Sequence, residues 1–357
     1  MYPEATGPAT WDGFYADSPE EFTLPPTPLV YPSGRAYDGR AGNDDNDRRT
    51  PLPELKVEEP KCVAATGDFC GEGVLWDRDS QCVYWTDINR FLVHRYALKD
   101  KSLQTWFFSE PATAVLLTSR KDTLALSLGS GISLWEPESG AEPVQIFALP
   151  GWPKVRCNDA GVDPGGALWV GSMRNNVGET GRPTEGGGTD GVLYRVDASG
   201  EAQVWRRDLG ISNTFVWNPD QSRFYFGDTL QNCIWSYEYS LQDRSITGEQ
   251  PFFQGFDRGL PDGSAIDTDG YVWNCRYGGG CIVRVSPSGK IDRTIEMPVA
   301  RPTNCTFGGE HGNVLYVTSA SPAPGQWERF GGCLFALETN VTGVTENQFQ
   351  LLDDSSA

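Results

Sequence analysis

The sequence predicts an all-β fold, a six-bladed β-propeller that carries an N-terminal proline-rich extension. Three observations lead there. A turn-forming cluster followed by an apolar, strand-like run recurs six times along the 357 residues. The six turns begin near positions 77, 119, 163, 218, 267 and 309, a mean spacing of about 46 residues, which is the period of a propeller blade. The chain also holds 41 glycines and 25 prolines and is 12% aromatic, a balance that favours short strands and turns over long helices.

In chain order, residues 1–56 form the extension. They contain nine prolines and the run GNDDNDRR, with no sustained alternation of apolar and polar residues, so they bury little apolar area as an independent unit. Trp11, Phe14, Tyr15 and Phe22 give the segment something to bury, and it is expected to wrap over the main domain. Residues 57–352 are the propeller, and 353–357 a short tail. The run KVEEPKCVAAT, residues 56–66, has no hairpin partner nearby. It is expected to supply an outer strand to the sixth blade, closing the ring and covering two sheet edges.

Within the propeller, the runs after the six turns read CVYWTDI, TLALSLG, ALWVGSM, RFYFGDT, YVWNCRY and NVLYVTSA. Each leads through a second turn into another alternating segment: FLVHRYAL, GISLWEP, GVLYRVDASG, CIWSYEYS, CIVRVSPSG and GCLFALET. These are hairpin signals. The apolar stretch before each turn is the candidate innermost strand.

Equal register in each blade means equal height on the central axis. Five residues before the six turns stand Glu72, Ala114, Asn158, Asn213, Asp262 and Asn304. Two carboxylates and three amides thus gather at one axial mouth, with neither sulfur nor imidazole among them. Such a ring suits a hard divalent cation. Asn and Asp are also common wherever strands begin, so it is the shared register of five such residues that singles them out. Arg156 lies two residues before Asn158 and is expected near the same mouth, with Asp159 directly after it. The glycine-rich insert at 173–191 is long enough to overhang the opening as a flexible lid.

Composition excludes several classes. With 29 Lys+Arg against 48 Asp+Glu the net charge is −19, which opposes binding to nucleic acid or an anionic membrane. No run of 18 apolar residues marks a spanning helix, and the first twenty residues have no basic residue or apolar core of a signal peptide. Only His94 and His311 are present, which rules out three-histidine zinc sites and disfavours a Ser-His-Asp triad. The nine cysteines form no C-x-x-C pair and are odd in number. They read as free thiols of a reducing cytosol, so a cytoplasmic location is expected.

The segments GEGVLWD, YWTDI, RCNDAGVDPGGALWVGSM, SNTFVW, FYFGDT, PDGSAIDTDGYVW and RPTNCTFGG resemble, in order and spacing, the motifs of the gluconolactonase/regucalcin (senescence-marker-protein-30-like) family. The resemblance runs from about residue 57 to 340. It implies a six-bladed propeller that hydrolyses sugar lactones with one divalent metal ion (Ca, Zn, Mn, Mg or Fe) on the axis. Glu72, Asn213 and Asp262 match the family's metal ligands, and Asp262 also the proposed general base. Arg156 and Asn158 match substrate contacts, and Asp159 and Asn176 complete the expected substrate-binding set. In that mechanism the cation polarises the lactone carbonyl and Asp262 activates the attacking water. Three positions depart from the family pattern. Asn176 stands where some members carry a substrate-binding Glu, while Ala160 and Thr214 replace glycines, and the backbone at both is expected to avoid positive φ.

Two other functions compete with the sugar lactonase. One is hydrolysis of bulkier lactones or phosphotriesters at the same metal site, with Trp152 and Trp327 walling a wider pocket. The other is a non-enzymatic calcium-binding propeller.

Overall fold

The computed structural model describes residues 54–322 and 326–352. The expected wrapping of the extension, and the tail at 353–357, lie outside the described residues. Twenty-four strands form six four-stranded antiparallel sheets around one axis. After β1 (Lys61–Ala64), blade one is β2 (Gly71–Asp77), β3 (Cys82–Asp87), β4 (Leu92–Ala97) and β5 (Leu103–Phe107). Blade two is β6 (Ala112–Leu117), β7 (Leu124–Leu128), β8 (Gly131–Trp135) and β9 (Val144–Ala148). Blade three is β10 (Val155–Val162), β11 (Leu168–Arg174), β12 (Gly191–Val196) and β13 (Ala202–Leu209). Blade four is β14 (Ser212–Trp217), β15 (Arg223–Asp228), β16 (Cys233–Ser240) and β17 (Ser245–Gln254). Blade five is β18 (Leu260–Ile266), β19 (Val272–Tyr277), β20 (Cys281–Val285) and β21 (Ile291–Glu296). Blade six is β22 (Pro302–Gly308), β23 (Val314–Ser319) and β24 (Leu334–Glu338), completed by β1.

That last pairing is the expected ring closure. β1 runs antiparallel to β24, with Cys62 opposite Phe335 and Ala64 opposite Leu334. Burial follows position in the blade. β14 and β22 are buried along their whole length although they carry Ser212, Asn213, Thr214, Thr303 and Asn304, whereas the outermost β5 and β21 keep much of their surface in solvent. The core lies between blades. Trp169 of blade three packs with Trp217 and Phe224 of blade four, the latter two stacked at 4.5 Å.

The turns between first and second strands are tied into this core. Asp163 and Asp267 each accept from a tryptophan indole six residues on, Trp169 at 2.8 Å and Trp273 at 2.9 Å. Arg195 and Arg284, from the third strands, pair with the same two carboxylates. A buried charge is thereby both paired and hydrogen-bonded.

After β24 the chain crosses the face opposite the mouth. Gly343 bridges to Asp267 of blade five, Asn347 donates to the Val162 carbonyl of blade three at 2.9 Å, and Phe349 bridges to Thr118 of blade two. Phe349 is fully buried. Among the described residues no helix is long and apolar enough to cross a membrane.

Candidate metal and active site

Each innermost strand carries an irregularity in its pairing at the height of the six axial residues. The shifts fall at Glu72/Leu75, Ala112/Ala114, Cys157/Ala160, Asn213/Phe215, Pro261/Ser264 and Pro302/Cys305. A bulge breaks the strict alternation of a strand and re-aims a side chain. Six of them at one level free this ring of side chains from the sheet faces.

Four of the expected residues form one hydrogen-bonded line. Asn176 Oδ1 accepts from Arg156 Nε at 2.9 Å, and Arg156 Nη1 donates to Asn158 Oδ1 at 2.7 Å. Asn158 Nδ2 then donates to Asn213 Oδ1 at 3.2 Å and to the Ser212 carbonyl at 2.9 Å. Asn213 Nδ2 is engaged by Thr229 Oγ1 at 2.8 Å, and that hydroxyl donates to the Pro261 carbonyl. These partners fix the amide orientations and leave Asn213 Oδ1 with a lone pair to spare.

Glu72 and Asp262 lie beside this line, 7% and 6% exposed, near enough for the Glu72 charge to act on Asp262. Glu72 Oε2 also accepts from the Gly73 amide at 3.0 Å and from Asn304 Nδ2 at 3.3 Å. Burial pushes Glu72 upward, opposed by the Gly73 amide, Asn304 and the Arg156 charge. Asp262 is raised further, by burial first and then by the neighbouring Glu72 and Asp159 charges. Two enclosed carboxyls that cannot both ionise comfortably define a place for positive charge.

The donor set fits a hard divalent cation. Glu72, Asp262 and Asn213 offer oxygen only; among the described residues no group of three or more His, Cys, Asp or Glu side chains gathers to hold a metal ion. Ala114, at the same height, contributes no donor. An added Cβ on Gly73 would meet the Ala114 Cα at 2.5 Å, so glycine is what allows blades one and two to close here.

Asp159 is a charge neighbour of both carboxyls. With Asn304 it lines an axial cavity of about 80 Å³ below the ligand level, whose far end is formed by Val344, Thr345, Glu346 and Asn347. Its carboxyl is pushed up to about 8, by burial first and then by Glu72. Glu346 accepts from Thr306 Oγ1 at 2.8 Å.

The insert after β11 is anchored rather than loose. Asn89 of blade one donates to the Gly181 carbonyl at 2.8 Å, and Asn176 is 1% exposed. A side chain at Gly181 would collide with the Asn89 carbonyl at 1.8 Å. The segment therefore reaches from blade three across to blade one. Of the two tryptophans, Trp152 packs over Gly129 while Trp327 is 84% exposed.

The backbone after two axial residues is left-handed: Gly73 has φ +54° and Thr214 φ +59°. The second value corrects the expectation for Thr214. Its hydroxyl bonds hold a conformation that its side chain disfavours. Ala160 stays outside the left-handed region, as expected.

An apolar collar escaped the sequence reading. Cys70, Met173, Ile211, Leu260, Tyr277 and Ala320 pack together at the mouth side. Cys70, Ile211 and Leu260 stand two positions before Glu72, Asn213 and Asp262, so the two-residue period of a strand carried the signal.

Fold and site together define a six-bladed propeller with a buried, oxygen-lined axial centre. Residues 70–321 match the SMP-30/Gluconolactonase/LRE-like region, and the chain belongs to that family. It is 32% identical over 300 residues to the 6-deoxy-6-sulfogluconolactonase of Pseudomonas putida, covering 82% of this chain and 99% of that protein. It is 30% identical over 273 residues to regucalcin of Sus scrofa, covering 75% and 88%. A crystal structure of the calcium-binding protein regucalcin from Agrobacterium tumefaciens superposes with TM-score 0.74 at 25% identity, over 81% of this chain and 97% of that one.

Proposed function

We propose that this chain is a lactone-hydrolysing enzyme that opens sugar lactones to aldonic acids, with one divalent cation held by Glu72, Asn213 and Asp262. The observation that carries this reading is the pair of buried carboxyls, Glu72 and Asp262, beside the hydrogen-bonded Arg156–Asn158–Asn213 line. The sugar lactonase and the calcium-binding protein among its relatives support it.

When bound, the cation supplies Lewis-acid polarisation of the lactone carbonyl. Asp262 takes the proton from the attacking water and returns it to the ring oxygen as the carbonyl carbon–oxygen bond breaks. Water and lactone are consumed and one hydroxy acid forms, so no other reactant is needed. Arg156 is held rigid by Asn158 and Asn176 and orients sugar hydroxyls by directional donors. The anchored insert narrows access from the blade-three side. Free thiols at all nine cysteines agree with a reducing, cytoplasmic setting.

The apolar collar and exposed Trp327 favour a second reading, hydrolysis of bulkier, less polar lactones or of phosphotriesters. A pH-indicator assay on sugar γ- and δ-lactones, a long-chain acyl lactone and a phosphotriester decides between them. Acceleration over the enzyme-free rate with sugar lactones supports the first reading. Acceleration only with the hydrophobic substrates replaces it by the second, and none with any leaves a cation-binding propeller.

A further inference from the structure

A threonine with positive φ is rare, because its branched Cβ crowds the backbone in the left-handed region. Thr214 adopts φ +59° with no exposure to solvent. The matching position in blade one, after Glu72, is filled by Gly73 at φ +54°, the residue that takes this conformation without strain. Thr214 is held there by what its polar groups reach. Its Oγ1 donates to the Asp262 carbonyl at 2.7 Å and lies 2.8 Å from Ser264 Oγ. Asn274 Nδ2 reinforces the same corner, reaching the Asp262 carbonyl and Ser264 Oγ at 3.0 Å each.

We propose that Thr214 is a positioning residue for the cation site, its strained backbone aiming the hydroxyl at the Asp262 main chain so that Asp262 and Asn213 are held in fixed relation across the seam of blades four and five. The inference rests on the assignment of Glu72, Asn213 and Asp262 as cation donors. Glycine at 214 relaxes the strain but leaves the Asp262 carbonyl with only the Asn274 amide. Serine keeps the hydroxyl and relieves the branching. The seam then tolerates small rotations that a coordination site does not.

The test compares wild type with Thr214→Gly, Thr214→Ser and Thr214→Val. Ca²⁺ affinity of the EDTA-stripped proteins is measured by calorimetry, kcat and KM on a sugar lactone at saturating cation, and melting temperature by circular dichroism. Thr214→Gly is expected to bind Ca²⁺ about 10-fold more weakly and to lose kcat by about 10-fold with KM little changed, the size of effect that outer-shell partners carry. Its melting temperature should not fall in proportion. Thr214→Val should share the affinity loss, and Thr214→Ser should restore both readouts to near wild type. Wild-type affinity and kcat in Thr214→Gly would overturn the inference, as would an equal loss in Thr214→Ser. Failure of the wild-type protein to bind any divalent cation would instead overturn the donor assignment beneath it.

Discussion

Glu72 and Asp262, carried by the first and fifth blades, bring two buried carboxyls to the propeller axis, near enough for the Glu72 charge to act on Asp262. Burial raises both carboxyls, and the neighbouring Glu72 charge raises Asp262 further, which favours a proton retained on the pair. In the metal-free protein that proton replaces the positive charge a cation supplies, and metal ligands must be deprotonated to bind. Cation binding should therefore release about one proton per ion near neutral pH. Calorimetric titration of the stripped protein with Ca²⁺ in two buffers of different ionisation enthalpy measures this directly, and heats that do not depend on buffer would contradict it.

In the proposed mechanism Asp262 is also the proton acceptor. Replacing it with Asn keeps the shape and removes the base, so turnover should fall by about 10²–10⁴-fold with the circular-dichroism spectrum unchanged. Near-wild-type rates in that variant would sink the assigned role.

Asp159 governs a pH effect on stability. Its folded pKa of about 8 lies above the unfolded value, so the stability it contributes is fully present below about pH 4 and is lost as pH rises towards 8. The metal-free wild type should accordingly lose melting temperature between about pH 5 and pH 8, and Asp159→Asn should flatten that slope. Equal slopes in the two proteins would remove Asp159 as the cause.

The segment after β24 spans blades five, three and two, and its anchor is Phe349, which is fully buried beside Leu116, Phe147 and Leu168 in one core cluster. Phe349→Ala should cost about 3–5 kcal/mol in urea unfolding. A loss under about 1 kcal/mol would mean that the segment is a passive cover.

The architecture was legible because turn spacing and strand periodicity are local signals. Six repeats of about 46 residues place one inner strand per blade, and counting back from each turn reaches Glu72, Asn158, Asn213 and Asp262 at one height. Ring closure by β1 was readable for a similar reason, since residues 56–66 had strand character and no neighbour to pair with. Other features were hidden because their causes are tertiary. Thr214 contradicts its own backbone preference and is held by hydroxyl bonds to residues about fifty positions away. Thr229 and Asn274 support the site from a turn and a second strand, where no register argument points. Gly343 lies against Phe307, where an added Cβ would sit 2.1 Å from the ring-bearing Cβ. That glycine is dictated by a close approach, with no periodic pattern to announce it.

The most direct measurement is hydrolysis of glucono-δ-lactone and a pentono-γ-lactone, against the enzyme-free rate in the same buffer. It is run on wild type and Glu72→Gln as prepared, after EDTA, and after return of Ca²⁺, Mg²⁺, Mn²⁺ or Zn²⁺. A cation-dependent lactonase at this axial site requires acceleration by wild type that EDTA removes and at least one ion restores, with little or none in Glu72→Gln. Acceleration that survives EDTA, or equal activity in Glu72→Gln, would contradict the cation's place at Glu72, Asn213 and Asp262.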